Sequence, residues 1–136
     1  MDIAVGNPEG TRFEQIVALA DTGATFTTLP SSVLRRLGVV ARENVPFRLA
    51  DNRIIHRDVG ETTIRVEGRV VRTAVVFGDE GASPLLGAYT LERALLAVDP
   101  VRRKLIPTEA LLMLVGGEGL EPTTSAMSTL RSDQLS

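Results

Sequence analysis

The chain has 136 residues, 43% hydrophobic and 24% charged, a balance that fits one soluble globular domain and leaves no room for a second of full size. With 15 Lys and Arg against 17 Asp and Glu the formal net charge is −2, so no basic footprint points to nucleic acid or to an anionic membrane surface. Cysteine is absent and histidine occurs once, which excludes a disulfide framework, a thiolate zinc site and a cysteine nucleophile, and makes a His-rich metal centre or a Ser-His-Asp triad hard to build. Catalysis in such a chain runs mostly on carboxylates and hydroxyls.

Most of the sequence reads as short strands broken by turns. Residues 3–5 and 13–19 flank Gly6-Asn7-Pro8-Glu9-Gly10, a cluster that supplies turn geometry and predicts a hairpin. In residues 30–38, Ser is a candidate N-cap, Val33, Leu34 and Leu37 are apolar, Arg35 and Arg36 fall in the last turn, and Gly38 supplies a left-handed stop; this predicts a two-turn helix. Residues 45–49 and 54–59 flank Ala50-Asp51-Asn52-Arg53 as a second hairpin. Residues 63–67 alternate polar and apolar, Gly68 breaks them, and residues 70–77 resume with Val, Thr and Phe, a third hairpin. Residues 90–96 predict a second helix with Thr90 as cap, before Asp99-Pro100 turns the chain into Lys104-Leu105-Ile106. Many short strands with two small helices suggest an all-β fold, a small closed β-barrel.

The expected domain is residues 1–109. Residues 110–115 are six consecutive apolar side chains, which need cover from self-association or from the barrel. Residues 116–136, rich in Gly, Ser, Thr, Glu and Pro, are expected to form a flexible tail. The apolar run is far short of the roughly 20 residues that cross a bilayer, and the start, Met1-Asp2-Ile3-Ala4-Val5-Gly6, lacks a basic region followed by an apolar one. The expectation is a cytoplasmic protein with no membrane span.

The chemistry concentrates in residues 16–30. Asp21 stands at the end of the apolar strand Ile16-Val17-Ala18-Leu19-Ala20 and is followed by Thr22, Gly23 and Ala24. A carboxylate so placed costs stability unless function requires it. Gly23 permits a tight turn and lets its amide approach a carboxylate, Thr22 offers a hydroxyl to the backbone or to a symmetry mate, and Ala24 leaves space beside the acid.

Asp21-Thr22-Gly23-Ala24 after an apolar strand, with Thr-Thr-Leu-Pro behind it, resembles the active-site strand and loop of the retropepsin-like aspartic proteases. A second signature, Leu85-Leu86-Gly87 before a short helix, resembles the segment that packs behind the catalytic loop in that family. With the order of the remaining elements the resemblance covers residues 3–108. It implies a retropepsin-like barrel in which Asp21 is catalytic, Thr22 and the Gly23 amide hold the acids near one plane, and a hairpin of residues 48–57, tipped by Ala50, Asp51, Asn52 and Arg53, folds over an extended peptide. Pepsin-like enzymes carry two acid loops in one chain. Here Asp-Thr-Gly occurs once, and Asp58-Val59-Gly60 lacks the hydroxyl and falls in a predicted strand. The implied active unit is therefore a homodimer with a two-fold axis between two copies of Asp21, requiring no metal or other cofactor.

His56, the single imidazole, falls in an exposed hairpin and reads as a solvated strand residue. Asp79-Glu80 beside Gly78 and Gly81 reads as a solvated turn, since calcium takes six or more oxygens, and Arg35-Arg36 and Arg102-Arg103-Lys104 read as solvated faces. Two other functions stay open at this point. One is a non-catalytic module of the same fold that binds peptides or dimerises; the other is a barrel that binds a small ligand with Asp21 as polar anchor.

Overall fold

The computed structural model of the chain describes residues 1–108; the apolar run at 110–115 and the tail at 116–136 lie outside the described residues. Strands β1 (Asp2–Gly6) and β2 (Phe13–Val17) form the first expected hairpin. Its loop is organised by Asn7, whose Oδ1 accepts the Thr11 and Arg12 amides at 2.8 and 3.0 Å. Strand β3 (Leu19–Asp21) follows after Ala18, then β4 (Thr27–Pro30), α1 (Ser31–Arg36) and β5 (Glu43–Arg48). Strands β6 (Ile54–Val66) and β7 (Arg69–Gly78) are joined by Glu67 and Gly68, both at positive φ, the backbone that a two-residue turn needs to match the twist of its strands. The remaining elements are β8 (Leu85–Gly87), α2 (Ala88–Arg93), β9 (Leu96–Asp99) and β10 (Lys104–Pro107).

The fold is all-β, with two short helices. Eight strands share one sheet in the order β2-β1-β6-β7-β4-β8-β3, with β5 added beside β6; β9 and β10 form a separate pair. The end strands β2 and β3 are successive pieces of one stretch of chain, separated by Ala18 alone. The sheet must therefore curl back towards its own start. Met1 fastens the junction, its amino group donating to the Ala18 carbonyl and its own carbonyl accepting the Ala18 amide, both at 2.9 Å. Inside lie Ile3, Val5, Leu29, Ile64, Val75 and Leu86, each almost wholly buried, and burial of such side chains contributes about 1.5–3 kcal/mol apiece.

Three expectations change. Residues 54–66 are one strand rather than two. Gly60 does not interrupt it: a Cβ there would stand 2.5 Å from the Val40 carbonyl, so the glycine admits a crossing segment whose Arg42 amide bonds the Val59 carbonyl at 2.8 Å. The second helix starts at Ala88 with Gly87 as its cap residue, and Thr90 lies inside it, buried. The first helix has Pro30 at its N-cap and no side-chain cap of its own. The Glu80 carboxylate replaces the expected serine, accepting the Ser32 amide at 2.8 Å and the Ser32 hydroxyl at 2.6 Å. The other end follows the sequence reading. Gly38 at φ 79° lets its amide reach the Arg35 carbonyl and the Val39 amide reach that of Leu34, a Schellman stop.

The Ser32 hydroxyl, then the Ser32 amide, hold the Glu80 carboxyl below its ordinary 4.5. Below pH 4.5 the unfolded chain therefore binds the proton more readily than the folded one, so this stabilisation is complete above 4.5 and disappears as the pH falls through the lowered value. Glu80→Gln is expected to make the acid-side fall of the urea-unfolding midpoint shallower, between about pH 5 and pH 3, than in the parent. An unchanged slope would contradict the linkage.

Candidate active site

Asp21 is positioned by β8. Strand β3 runs parallel to it, pairing Leu19 with Leu85, Ala20 with Leu86 and Asp21 with Gly87. On its other side β8 meets β4 through Leu85 and Thr28. Leu86 is fully buried and Leu85 half-buried, and Gly87 has a stricter role. A Cβ at Gly87 would lie 2.5 Å from both the carbonyl carbon and the carbonyl oxygen of Phe26, so only a bare backbone admits β4 this close to the end of β8.

The loop after Asp21 then turns tightly. The Gly23 amide donates to Asp21 Oδ1 at 2.9 Å, and the Ala24 amide to the Asp21 carbonyl at 3.1 Å. The carboxylate is thus fixed through one oxygen by a backbone donor, a charge-assisted bond, while Asp21 as a whole remains only partly buried. Among the described residues Oδ2 has no hydrogen-bond partner. The Thr22 hydroxyl likewise bonds to none of them, and Thr22 is exposed. The Gly23 amide thus approaches the carboxylate as the sequence allowed, and this chain by itself leaves the Thr22 side chain free of described partners.

A cleft of about 500 Å³ opens beside the loop, bordered by Gly23, Ala24, Thr25 and Phe26 on one side. The β5–β6 hairpin forms the other side with Phe47, Arg48, Leu49, Ile55 and Arg57, and the end of β7 with the following loop adds Val76, Gly78, Asp79 and Ala82. The rings of Phe26 and Phe47 meet edge to face, centroids 5.8 Å apart, across the junction of loop and hairpin. Arg57 pairs with Asp79 at 3.1 Å and ties the hairpin to the chain beyond β7.

The hairpin tip is where the sequence put it, but the cleft is bordered by the flanks. Ala50, Asp51, Asn52 and Arg53 are exposed and stand outside the lining. Leu49 and Arg53 close the turn with an amide-to-carbonyl bond of 2.8 Å, and Asn52 adopts φ 70°. Arg53 donates to the Asp51 carboxylate from its side chain at 2.7 Å and from its backbone at 3.1 Å, which holds that carboxyl below the usual range. His56 is exposed on β6, opposite Pro46. Among the described residues no three His, Asp or Glu side chains gather as metal ligands, and no helix is long and apolar enough to cross a membrane.

Sequence reasoning missed Phe26, Phe47 and Asp79 as cleft residues, and three buried threonines behind the loop. Period-two alternation around Phe47 was the one local signal for its inward side. The Arg57–Asp79 pair joins residues 22 apart and leaves no mark in either neighbourhood.

Residues 12–93 match the family model described as "gag-polyprotein putative aspartyl protease", and the chain belongs to this family of retropepsin-like aspartic proteases. Among solved structures, the solution structure of the simian foamy virus (mac) protease matches with 22% identity and a TM-score of 0.49, over 68% of this chain and 90% of that one. A comparison with curated proteins found no match.

Gly87→Ala is expected to cost about 1–3 kcal/mol by forcing backbone apart at Phe26. Gly81→Ala, where a Cβ meets nothing within 4 Å, should change stability by less than about 0.5 kcal/mol. Denaturant midpoints of the two variants check the contrast.

Proposed function

We propose that the protein is an aspartic endopeptidase whose active unit is a homodimer, with one Asp21 carboxylate contributed by each subunit. The observation that carries this reading is the Gly23 amide bond to Asp21 Oδ1, in a loop that borders a cleft whose other side is a hairpin. Two carboxylates brought within hydrogen-bond reach cannot both ionise at low cost, so they hold one proton between them and titrate as a unit. The ionised member takes a proton from a bound water, whose oxygen attacks the scissile carbonyl carbon. The protonated member donates to the carbonyl oxygen as the tetrahedral intermediate forms. Collapse of that intermediate breaks the C–N bond, and the departing amine leaves with a proton from the carboxyl that had taken it from water.

The chain's own groups supply the orientation. The Gly23 amide holds one carboxylate oxygen in place, leaving the other for the shared proton and the water. Thr22, exposed next to the acid, is available to the second subunit. The β5–β6 hairpin favours an extended peptide, which can pair with backbone along strand edges while side chains enter the cleft. Closure of the hairpin would exclude water around the reacting bond.

Asp21→Asn is expected to lower peptide turnover by roughly 10²–10⁴-fold with the unfolding midpoint little changed, and a hydroxyl-isostere inhibitor should block the parent enzyme. Sedimentation of the parent in the presence of that inhibitor should report a dimer. A variant that cleaves as well as the parent at equal folded concentration contradicts the catalytic role. Peptide binding without cleavage by a chain that remains monomeric would instead mark a binding module.

A further inference from the structure

Three threonine hydroxyls meet in the interior behind the Asp21 loop. Thr27 on β4, Thr73 on β7 and Thr90 in α2 are all buried to within 2%. Thr27 Oγ1 accepts the Gly87 amide at 3.0 Å and lies 2.6 Å from Thr90 Oγ1; Thr90 Oγ1 lies 3.0 Å from Thr73 Oγ1. Taking a hydroxyl out of water is unfavourable, and valine fills the same volume without that penalty. A core built for packing alone would carry valine at positions 73 and 90.

What the hydroxyls hold is the first turn of α2. In that turn the Ala88 amide donates to the Ala24 carbonyl at 2.8 Å and the Tyr89 amide to the Thr25 carbonyl at 3.0 Å. These two amides, which have no partner inside the helix, grip the far side of the loop whose near side grips the acid through Gly23. Gly87, whose amide ends on Thr27, stands opposite Asp21 in the β3–β8 pairing. The hydroxyls are therefore linked to the carboxylate along two short routes, one through the loop carbonyls and one through the strand pair.

We propose that Thr27, Thr73 and Thr90 are a positioning network that sets the direction of the Asp21 carboxylate through the first turn of α2. The proposal rests on the reading of Asp21 as the catalytic acid. None of the three hydroxyls touches substrate. Of these residues none borders the cleft, whose lining includes Phe26, Phe47, Leu49 and Ile55. Loosening the network should therefore disturb the alignment of acid and water while leaving peptide binding in place, which separates kcat from KM.

The test is Thr90→Val against Thr90→Ser, both assayed well below their unfolding midpoints. Thr90→Val is expected to lower kcat about tenfold with KM within about twofold of the parent, since small misplacement of a reacting group is costly. Thr90→Ser, which keeps the hydroxyl and loses a methyl, should restore kcat to within about threefold. Should Thr90→Val not fold, Thr73→Val, at the outer end of the network, is read by the same criteria. Full kcat in the valine variant, or equal impairment of valine and serine variants, overturns the proposal and leaves the threonines as packing. Asp21→Asn in the same assay separates this claim from the one beneath it. If that variant is inactive while Thr90→Val is fully active, only the positioning role falls; if it turns over like the parent, the catalytic reading falls and the positioning role with it.

Discussion

The site depends on a single close approach of backbone to backbone, Gly87 against Phe26 and Thr27. It allows β8 to lie beside β3 and β4 together, so that a strand of only three residues fixes both the start and the end of the acid loop. A methyl group at this point would push β4 and β8 apart, and with them the Asp21–Gly87 pairing, the seat of the Gly87 amide on Thr27, and the two amides of α2 that hold the loop carbonyls. Interiors are packed too densely for such a shift to be absorbed locally. The exposed ion pairs, Arg36–Glu14 and Arg53–Asp51 among them, contribute little by comparison, because solvent screens them.

The loop and the hairpin differ in how firmly they are held. Residues 21–25 are bound on one side by β8 and on the other by α2, and the residues on which these elements rest are core. The β5–β6 hairpin has one pairing, β5 on β6, and its tip is closed by two backbone bonds and an exposed Asp51–Arg53 pair. The acid loop is thus held by core elements on both sides, while the hairpin beside it has few ties, and segments with few buried contacts open at lower free energy than core elements do. The edge-to-face contact of Phe26 with Phe47 and the Arg57–Asp79 pair are where the two parts meet.

Much of this arrangement was legible in the residues themselves. Turn chemistry located all three hairpins, Gly38 located the end of α1, and the Asp21 loop together with Leu85-Leu86-Gly87 pointed to the family to which the chain belongs. What sequence reading missed was non-local. Residues 54–66 read as two strands where one runs through Gly60, because the reason for that glycine, the crossing Val40 backbone, lies 20 residues earlier in the chain. Thr90 looked like a helix cap because its hydroxyl partners come from β4 and β7, 63 and 17 residues away. The cap of α1 is a carboxylate 48 residues from the amide it satisfies. In each case local propensity gave the right kind of residue and tertiary contact gave it another purpose. The turn between β5 and β6 was legible for the opposite reason, since a turn is written in adjacent residues, whereas the cleft walls come from segments distant in the chain.

The central claim is that one active site is shared between two chains, each lending a single acid, and mixing subunits tests it directly. Unlabelled Asp21→Asn chain is added in increasing proportion to a fixed total of protein under conditions of free exchange, and peptide turnover is followed. A shared site requires both carboxylates, so an equal mixture should retain about a quarter of the parent's activity, the fraction of pairs with two intact acids in a symmetric association. Activity that instead falls in direct proportion, to about one half in the equal mixture, would show that each chain works alone and would contradict the account.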